Sequence, residues 1–160
     1  MRSRVALSIF ALLLANVAFA SDVQASFEKL KSLQGNWAGK AMNQDVQVSF
    51  RVTSGGSALM SEIHGTEDMV TVFHLDGDRL LMTHYCSAGN QPRMAATVAP
   101  DGKTFTFNFL DAANVLPSQP GHMQRLVLTI LDADRHTESW VFLGNDGKTL
   151  QHEFDLHRTK

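Results

Sequence analysis

The sequence predicts an all-β fold, a single antiparallel up-and-down β-barrel of about ten strands with a short N-terminal helix. Three observations lead there. From Asn36 onward apolar and polar residues alternate with period two, which sends successive side chains to opposite faces of a strand. The alternating runs are separated by tight turns such as Asp76-Gly77-Asp78 and Asp101-Gly102, and Asp-Gly is a strong hairpin signal. Strands joined as successive hairpins form a meander, and a meander this long hides its two edges by closing on itself.

The elements follow in order. Ser21 to Gln34 carries a helical pattern, with Val23, Phe27, Leu30 and Leu33 at three- and four-residue spacings, and Gly35 ends it. A short strand begins at Asn36. Val46, Val48, Phe50 and Val52 alternate with polar residues, and Ser54-Gly55-Gly56-Ser57 turns that strand into Ala58 to His64. Met69 to Leu75 and Arg79 to Cys86 flank Asp76-Gly77-Asp78. Pro92 to Val98 and Thr104 to Phe109 flank Asp101-Gly102. His122 to Leu131 and Arg135 to Leu143 flank Asp132-Ala133-Asp134, and Asn145 to Lys148 leads into the last strand, Leu150 to Arg158. The one long connection, Leu110 to Gly121 with Pro117 and Pro120, is expected either to cover one mouth of the barrel or to lie loose on the surface.

Residues 1–20 read as a signal peptide, leaving residues 21–160 as one barrel domain. Arg2 and Arg4 precede an apolar run, and Ala18-Phe19-Ala20 is a small-x-small cleavage site before Ser21. The expected location is therefore periplasmic or secreted. No segment approaches the roughly 20 apolar residues of a transmembrane helix. The chain has a formal charge of −2 with its basic residues dispersed, which argues against a nucleic-acid or anionic-membrane partner.

Thr83 to Arg93 holds the densest group of chemically useful side chains, with His84, Tyr85, Cys86, Asn90, Gln91 and Arg93. If the Asp101-Gly102 turn pairs Pro100 with Lys103, then Val98 faces Phe105, Ala96 faces Phe107 and Met94 faces Phe109. A five-residue loop from Ser87 to Gln91 then pairs Cys86 with Pro92 and His84 with Met94. Met82, His84 and Cys86 point inward with Met94 in that register, whereas a loop one residue different turns Thr83 and Tyr85 inward instead. Around Asp132-Ala133-Asp134 the expected pairs are Leu131 with His136, Thr129 with Glu138, Val127 with Trp140 and Arg125 with Phe142. Arg125 and Glu138 inside the barrel must then be paired, hydrated or bound to a ligand's polar end.

Cys86 is the only cysteine, so it forms no internal disulfide and reads as a small buried hydrophobe or as a nucleophile. His84 and Cys86 at i and i+2 share one face of a strand, a geometry open to a thiolate–imidazole pair. The seven histidines follow no metal-site spacing, and no metal is expected; His136 and Glu138 form the best remaining pair. There is no glycine-rich phosphate loop and no Gly-x-Ser-x-Gly.

Leu33-Gln34-Gly35-Asn36-Trp37 resembles the start of the lipocalin-like, or calycin, barrels, a group that includes lipocalins and fatty-acid-binding proteins. In those families a short helix leads to Gly-x-Trp on the first strand, and the tryptophan closes one barrel end, a role the resemblance gives to Trp37. Met69 to Met94 resembles a group of uncharacterised exported bacterial barrel proteins that share variants of His-Leu-Asp-Gly-Asp-Arg-Leu and His-Tyr-Cys-x-x-Gly-Asn-Gln-Pro-Arg. The nitrobindins, a related group, bind haem through a histidine near a His-x-His on the last strand. Here Gln151-His152-Glu153-Phe154 keeps the first histidine and has Phe154 in place of the second, so haem is implied through His152 alone.

Two functional classes follow. The first is a binding module for a small, largely apolar molecule with a polar or anionic end. Its wall would be Trp37, Met82, Met94, Phe105, Phe107, Phe109 and Trp140, and Arg125, Glu138, His84 and Arg93 would engage the polar end. The second is an enzyme at the barrel mouth using His84 with Cys86 or Tyr85. A barrel filled solid by side chains would instead point to a protein-interaction surface.

Overall fold

The structure, a computed structural model, describes residues 22–65 and 67–160. The expected signal peptide and cleavage site lie outside the described residues. Residues 22–31 form a helix, α1. Ten strands follow: β1 (Gly35–Ala41), β2 (Gln44–Thr53), β3 (Ala58–His64), β4 (Met69–Asp76), β5 (Arg79–Tyr85), β6 (Gln91–Val98), β7 (Thr104–Ala113), β8 (His122–Ile130), β9 (Arg135–Leu143) and β10 (Thr149–Arg158). Each pairs antiparallel with its neighbour in sequence, and β1 pairs with β10 to close the barrel. The all-β meander read from the sequence is therefore the observed fold. Among the described residues no helix is long and apolar enough to cross a membrane.

α1 plugs one end of the barrel. Its periodic apolar face supplies Phe27 and Leu30, buried together with Leu33 and Trp37. The chain after the helix tightens through i→i−3 bonds, including Gln34 N–H to the Lys31 carbonyl, so the helix ends before Gln34. Trp37 Nε1 donates to the Leu33 carbonyl at 2.7 Å, which fastens the plug to the first strand. From the last strand, the Arg158 guanidinium lies 4.2 Å from the centre of the Trp37 ring. It also donates to the carbonyls of Gln34, Ser32 and Ala133. Gly35 has φ of +131°, a backbone conformation that favours glycine, and a Cβ there would also push the mobile end of the Arg158 side chain, 2.7 Å away. Replacing Arg158 by leucine should cost roughly 2 kcal/mol, since a ring contact and charge-assisted bonds go together. Arg158→Lys should recover little, because an ammonium cannot span three acceptors; urea denaturation of both variants checks this.

The registers test the sequence expectations strand by strand. The β6–β7 pairs Val98–Phe105, Ala96–Phe107 and Met94–Phe109 are as expected. Between β5 and β6 the observed pairs are Met82–Met94 and Thr83–Arg93, two residues away from the expected pairing. The loop is shorter because Cys86 N–H bonds the Asn90 carbonyl and Gly89 N–H bonds the Cys86 carbonyl. A shift of two preserves faces, so His84 still points inward and is fully buried, while Tyr85 is half exposed on the outside.

The β8–β9 register differs by one, which does exchange faces. Leu131 N–H and Asp132 N–H both bond the Arg135 carbonyl, and Asp134 N–H bonds the Asp132 carboxylate, so the turn holds three residues. Ile130, Leu128 and Leu126 therefore face His136, Glu138 and Trp140. Val127 and Arg125 turn outward, and Arg125 is exposed. The expected inward Arg125 is thus corrected.

β7 also runs past Phe109 to Ala113, so the first third of the expected long connection is strand. A bulge between Arg93 and Met94 re-sets the pairing, and Arg93 Nε bonds the Asp111 carboxylate at 2.7 Å across it. The remaining segment is tied down by Asn90 Nδ2 to the Gly121 carbonyl and by Gly121 N–H to Asn145 Oδ1.

Candidate functional site

The interior divides into a filled half and an open half. Beside the plug, Phe50, Phe73, Met82, Met94, Phe105, Phe107, Leu126 and Leu128 are buried and pack as solid core. Toward the opposite end, where the β1–β2, β3–β4 and β5–β6 turns gather, the barrel opens into a pocket of about 440 Å3. Its deep wall is Val46, Ile63, His84, Met123, Trp140 and Phe154, all buried. Its rim includes Met42, Asp45, Glu67, Cys86, Leu150 and His152. No residue of the 110–121 segment lines it, so that connection does not cover this mouth.

A line of polar side chains runs through the apolar interior. His136, Glu138 and Trp140 project from one face of β9. His136 Nε2 is 3.2 Å from Glu138 Oε1, and Trp140 Nε1 donates to Glu138 Oε2 at 2.9 Å. The buried carboxyl group thus has a partner on each oxygen, as a buried polar group requires. At the plugged end His136 meets Trp37 edge-on with ring centres 4.3 Å apart. At the pocket end Trp140 packs on His84, with ring centres 4.7 Å apart.

His84 carries the polar line to the pocket floor. Its Nδ1 is 2.9 Å from Thr71 Oγ1, and its Nε2 has no hydrogen-bond partner. Burial pushes the imidazole down from its usual 6.5 to about 4, so it is neutral at physiological pH. Burial also pushes the Cys86 thiol up, and the nearby Glu67 carboxylate pushes it the same way. Both shifts disfavour a thiolate–imidazolium pair, and Tyr85 faces away from the pocket. His84 is therefore a neutral imidazole here and Cys86 a protonated thiol.

The placement of the other sequence candidates is mixed. His84, Cys86 and Trp140 do line the pocket, and Glu138 sits behind Trp140. Trp37, Met82, Met94, Phe105 and Phe107 belong to the filled half instead, because they lie nearer the plug. Phe109 is half-buried against His122, with ring centres 4.5 Å apart. Arg93 is outside, in an exposed ion pair with Asp111 that holds that carboxyl below the usual range. Sequence reasoning missed Val46, Ile63, Met123, Phe142 and Leu150. Their common mark is position, since each stands near the end of its strand farthest from the helix.

Haem is not supported by the residues present. His152 stands in the rim and offers an axial nitrogen, but Phe154 fills the adjacent inward position. Among the described residues no lysine or arginine contributes to the lining, while Asp45 and Glu67 do, so the lining offers no cation to hold two propionates. Among the described residues no group of three or more His, Cys, Asp or Glu side chains is placed to hold a metal ion.

Fold and site together define a closed ten-stranded antiparallel barrel with a pocket at the end opposite its helix. A solved structure of the same kind is Rv2717c from M. tuberculosis, matched with a TM-score of 0.59 and 15% identity over 84% of this chain and 98% of that one. At that identity the likeness establishes the fold alone. No protein-family model and no curated protein matches the sequence.

Proposed function

We propose that the protein is an exported, lipocalin-like binding module that holds one small, largely apolar molecule at the open end of its barrel. The observation that carries this reading is the pocket of about 440 Å3, walled by Val46, Ile63, Met123, Trp140, Phe142 and Phe154. Small-molecule sites are typically concave, roughly 300–1,000 Å3, mainly apolar and furnished with a few placed polar groups. His84 is such a group. Export rests on the arginine-led apolar run and the Ala-x-Ala site before Ser21.

The test is titration of the protein with diphenylhexatriene, a hydrocarbon dye that fluoresces when desolvated, together with native mass spectrometry of the protein as purified. One-to-one binding, quenched energy transfer from Trp140 in a Trp140→Phe variant, and loss of about tenfold or more in affinity on filling the mouth with Met69→Trp are expected. A folded protein that retains no small mass and binds no dye would overturn the reading.

A further inference from the structure

We infer that the pocket selects molecules with an uncharged polar head, seated at the floor against His84 Nε2, and discriminates against long-chain carboxylates. The inference rests on the binding reading above and specifies the ligand class for the same site.

His84 lines the pocket and carries one polar atom without a partner. His84 is 0% exposed, Thr71 occupies its Nδ1, and Nε2 is left without a partner. A buried polar atom with no partner is costly, and a ligand group that supplies one removes that cost. The neighbouring indole cannot compete for the same ligand atom, because Trp140 Nε1 is already donated to Glu138. A neutral imidazole offers Nε2 as a donor or as an acceptor, according to which tautomer Thr71 holds. An alcohol satisfies either state, since its hydroxyl both donates and accepts. A carboxylate satisfies only one and brings a charge with it.

The charges around the pocket then decide against anions. Among the described residues, the acidic side chains in its lining are Asp45 and Glu67, and no lysine or arginine joins them. Arg93 is on the outer face with Asp111, and Arg125 is exposed on β8. Behind the floor stands Glu138, held by His136 and Trp140. A carboxylate head at the floor thus meets no lysine or arginine among the described lining residues and has the Glu138 carboxyl group behind it, and at the mouth it meets Glu67, which has no cationic partner there. A cationic head gains little at the mouth, because Asp45 already pairs with Lys40 at 2.6 Å and Glu67 accepts from the Ser87 hydroxyl. What remains is an uncharged head at the floor with its apolar body lying past Ile63 and Met123 toward Met42 and Leu150 at the rim.

The experiment is displacement of diphenylhexatriene from the full-length mature protein by decanol, decanoate and decylammonium near neutral pH. These share one chain and differ only in the head. Decanol should compete about tenfold or more better than decanoate, the ratio expected when one head makes a buried hydrogen bond and the other loses its hydration uncompensated. His84→Leu should reduce the decanol advantage over decanoate about fivefold, read as the ratio of the two competitors' apparent affinities in the same variant. Asp45→Asn with Glu67→Gln should strengthen decanoate selectively. Decanoate binding as tightly as decanol, or decylammonium binding tightest, would overturn the inference while leaving the pocket as a binding site. The three-ligand comparison needs no variant, so it decides even if His84→Leu folds poorly. Absence of dye binding would instead overturn the binding reading, and this inference with it.

Discussion

Gly39→Ala is expected to cost about 3 kcal/mol or more and to open the barrel at its seam. Gly39 lies in β1, paired with Leu156 of β10 on one side and Val46 of β2 on the other. A Cβ at this position would stand 1.9 Å from the Asp155 carbonyl oxygen and 3.2 Å from the Leu156 Cα. Both are backbone atoms of the last strand, so no rotamer change relieves the clash; β1 and β10 must separate. Separation exposes the two edges that closure hides, and unpaired edges promote association between chains. Gly121→Ala is the internal control. Its Cβ would approach Asn145 Oδ1 and Phe142 Cζ at 2.9 Å, side-chain atoms able to move, and its nearest backbone atom, the Leu143 carbonyl oxygen, lies at 3.2 Å, against 1.9 Å at Gly39. Urea denaturation with size-exclusion chromatography should show Gly39→Ala far less stable and partly associated, and Gly121→Ala only mildly affected. Equal losses in the two variants would mean that the seam between first and last strands is not close-packed.

The contrast between the two glycines reflects what a linear sequence does and does not encode. The meander, its turns and the helix are local, and each was legible from periodicity and turn residues. The close approach at Gly39 depends on two strands more than a hundred positions apart in sequence, and nothing beside Gly39 announces it. Face assignments show the same limit at shorter range. His84 stayed inward because the Ser87–Gly89 loop differed from expectation by two residues, an even number. Arg125 went outward because the Asp132–Asp134 turn differed by one. On β8, Leu126-Val127-Leu128 is apolar on both faces, so side-chain pattern had no power to correct the count. The extra length of β7 was hidden for a related reason. Leu110 to Ala113 does not alternate, and it is strand because a bulge and the Arg93–Asp111 pair hold it there.

The site was half legible. His84 and Trp140 stood out by chemistry. Val46, Ile63, Met123 and Phe154 looked like any inward apolar residue, and so did Phe105 and Phe107. What separates wall from core is distance along the barrel from the plug. That distance is recoverable in principle, since a helix preceding β1 must pack at the end where β1 begins. Residues near the turns at 42–43, 65–68 and 86–90 then fall at the other end, which is where the pocket lies.

His84 also sets how the protein responds to acid, and the expected loss is roughly 3 kcal/mol of folding free energy between pH 6.5 and about 4. The folded imidazole titrates near 4 and the unfolded one near its usual 6.5, the difference arising from burial. In that window the unfolded chain binds a proton that the folded chain refuses, so stability falls as pH falls. Above 6.5 both states are neutral and the contribution is fully present. The groups packed on the imidazole, Thr71 and Trp140, carry no charge to offset the penalty. Denaturation of the wild-type chain and His84→Leu near neutral pH and near pH 4.5 isolates this one group, because every other titration is common to both. The stability gap between the two proteins should narrow on acidification by most of that amount; a gap that stays constant would mean the imidazole is hydrated and accepts its proton normally. The same window bears on ligand selection. If an uncharged head sits on Nε2, decanol affinity should hold as pH falls through 6.5 and weaken only on approach to 4, whereas an exposed histidine contact would weaken it already around 6.5.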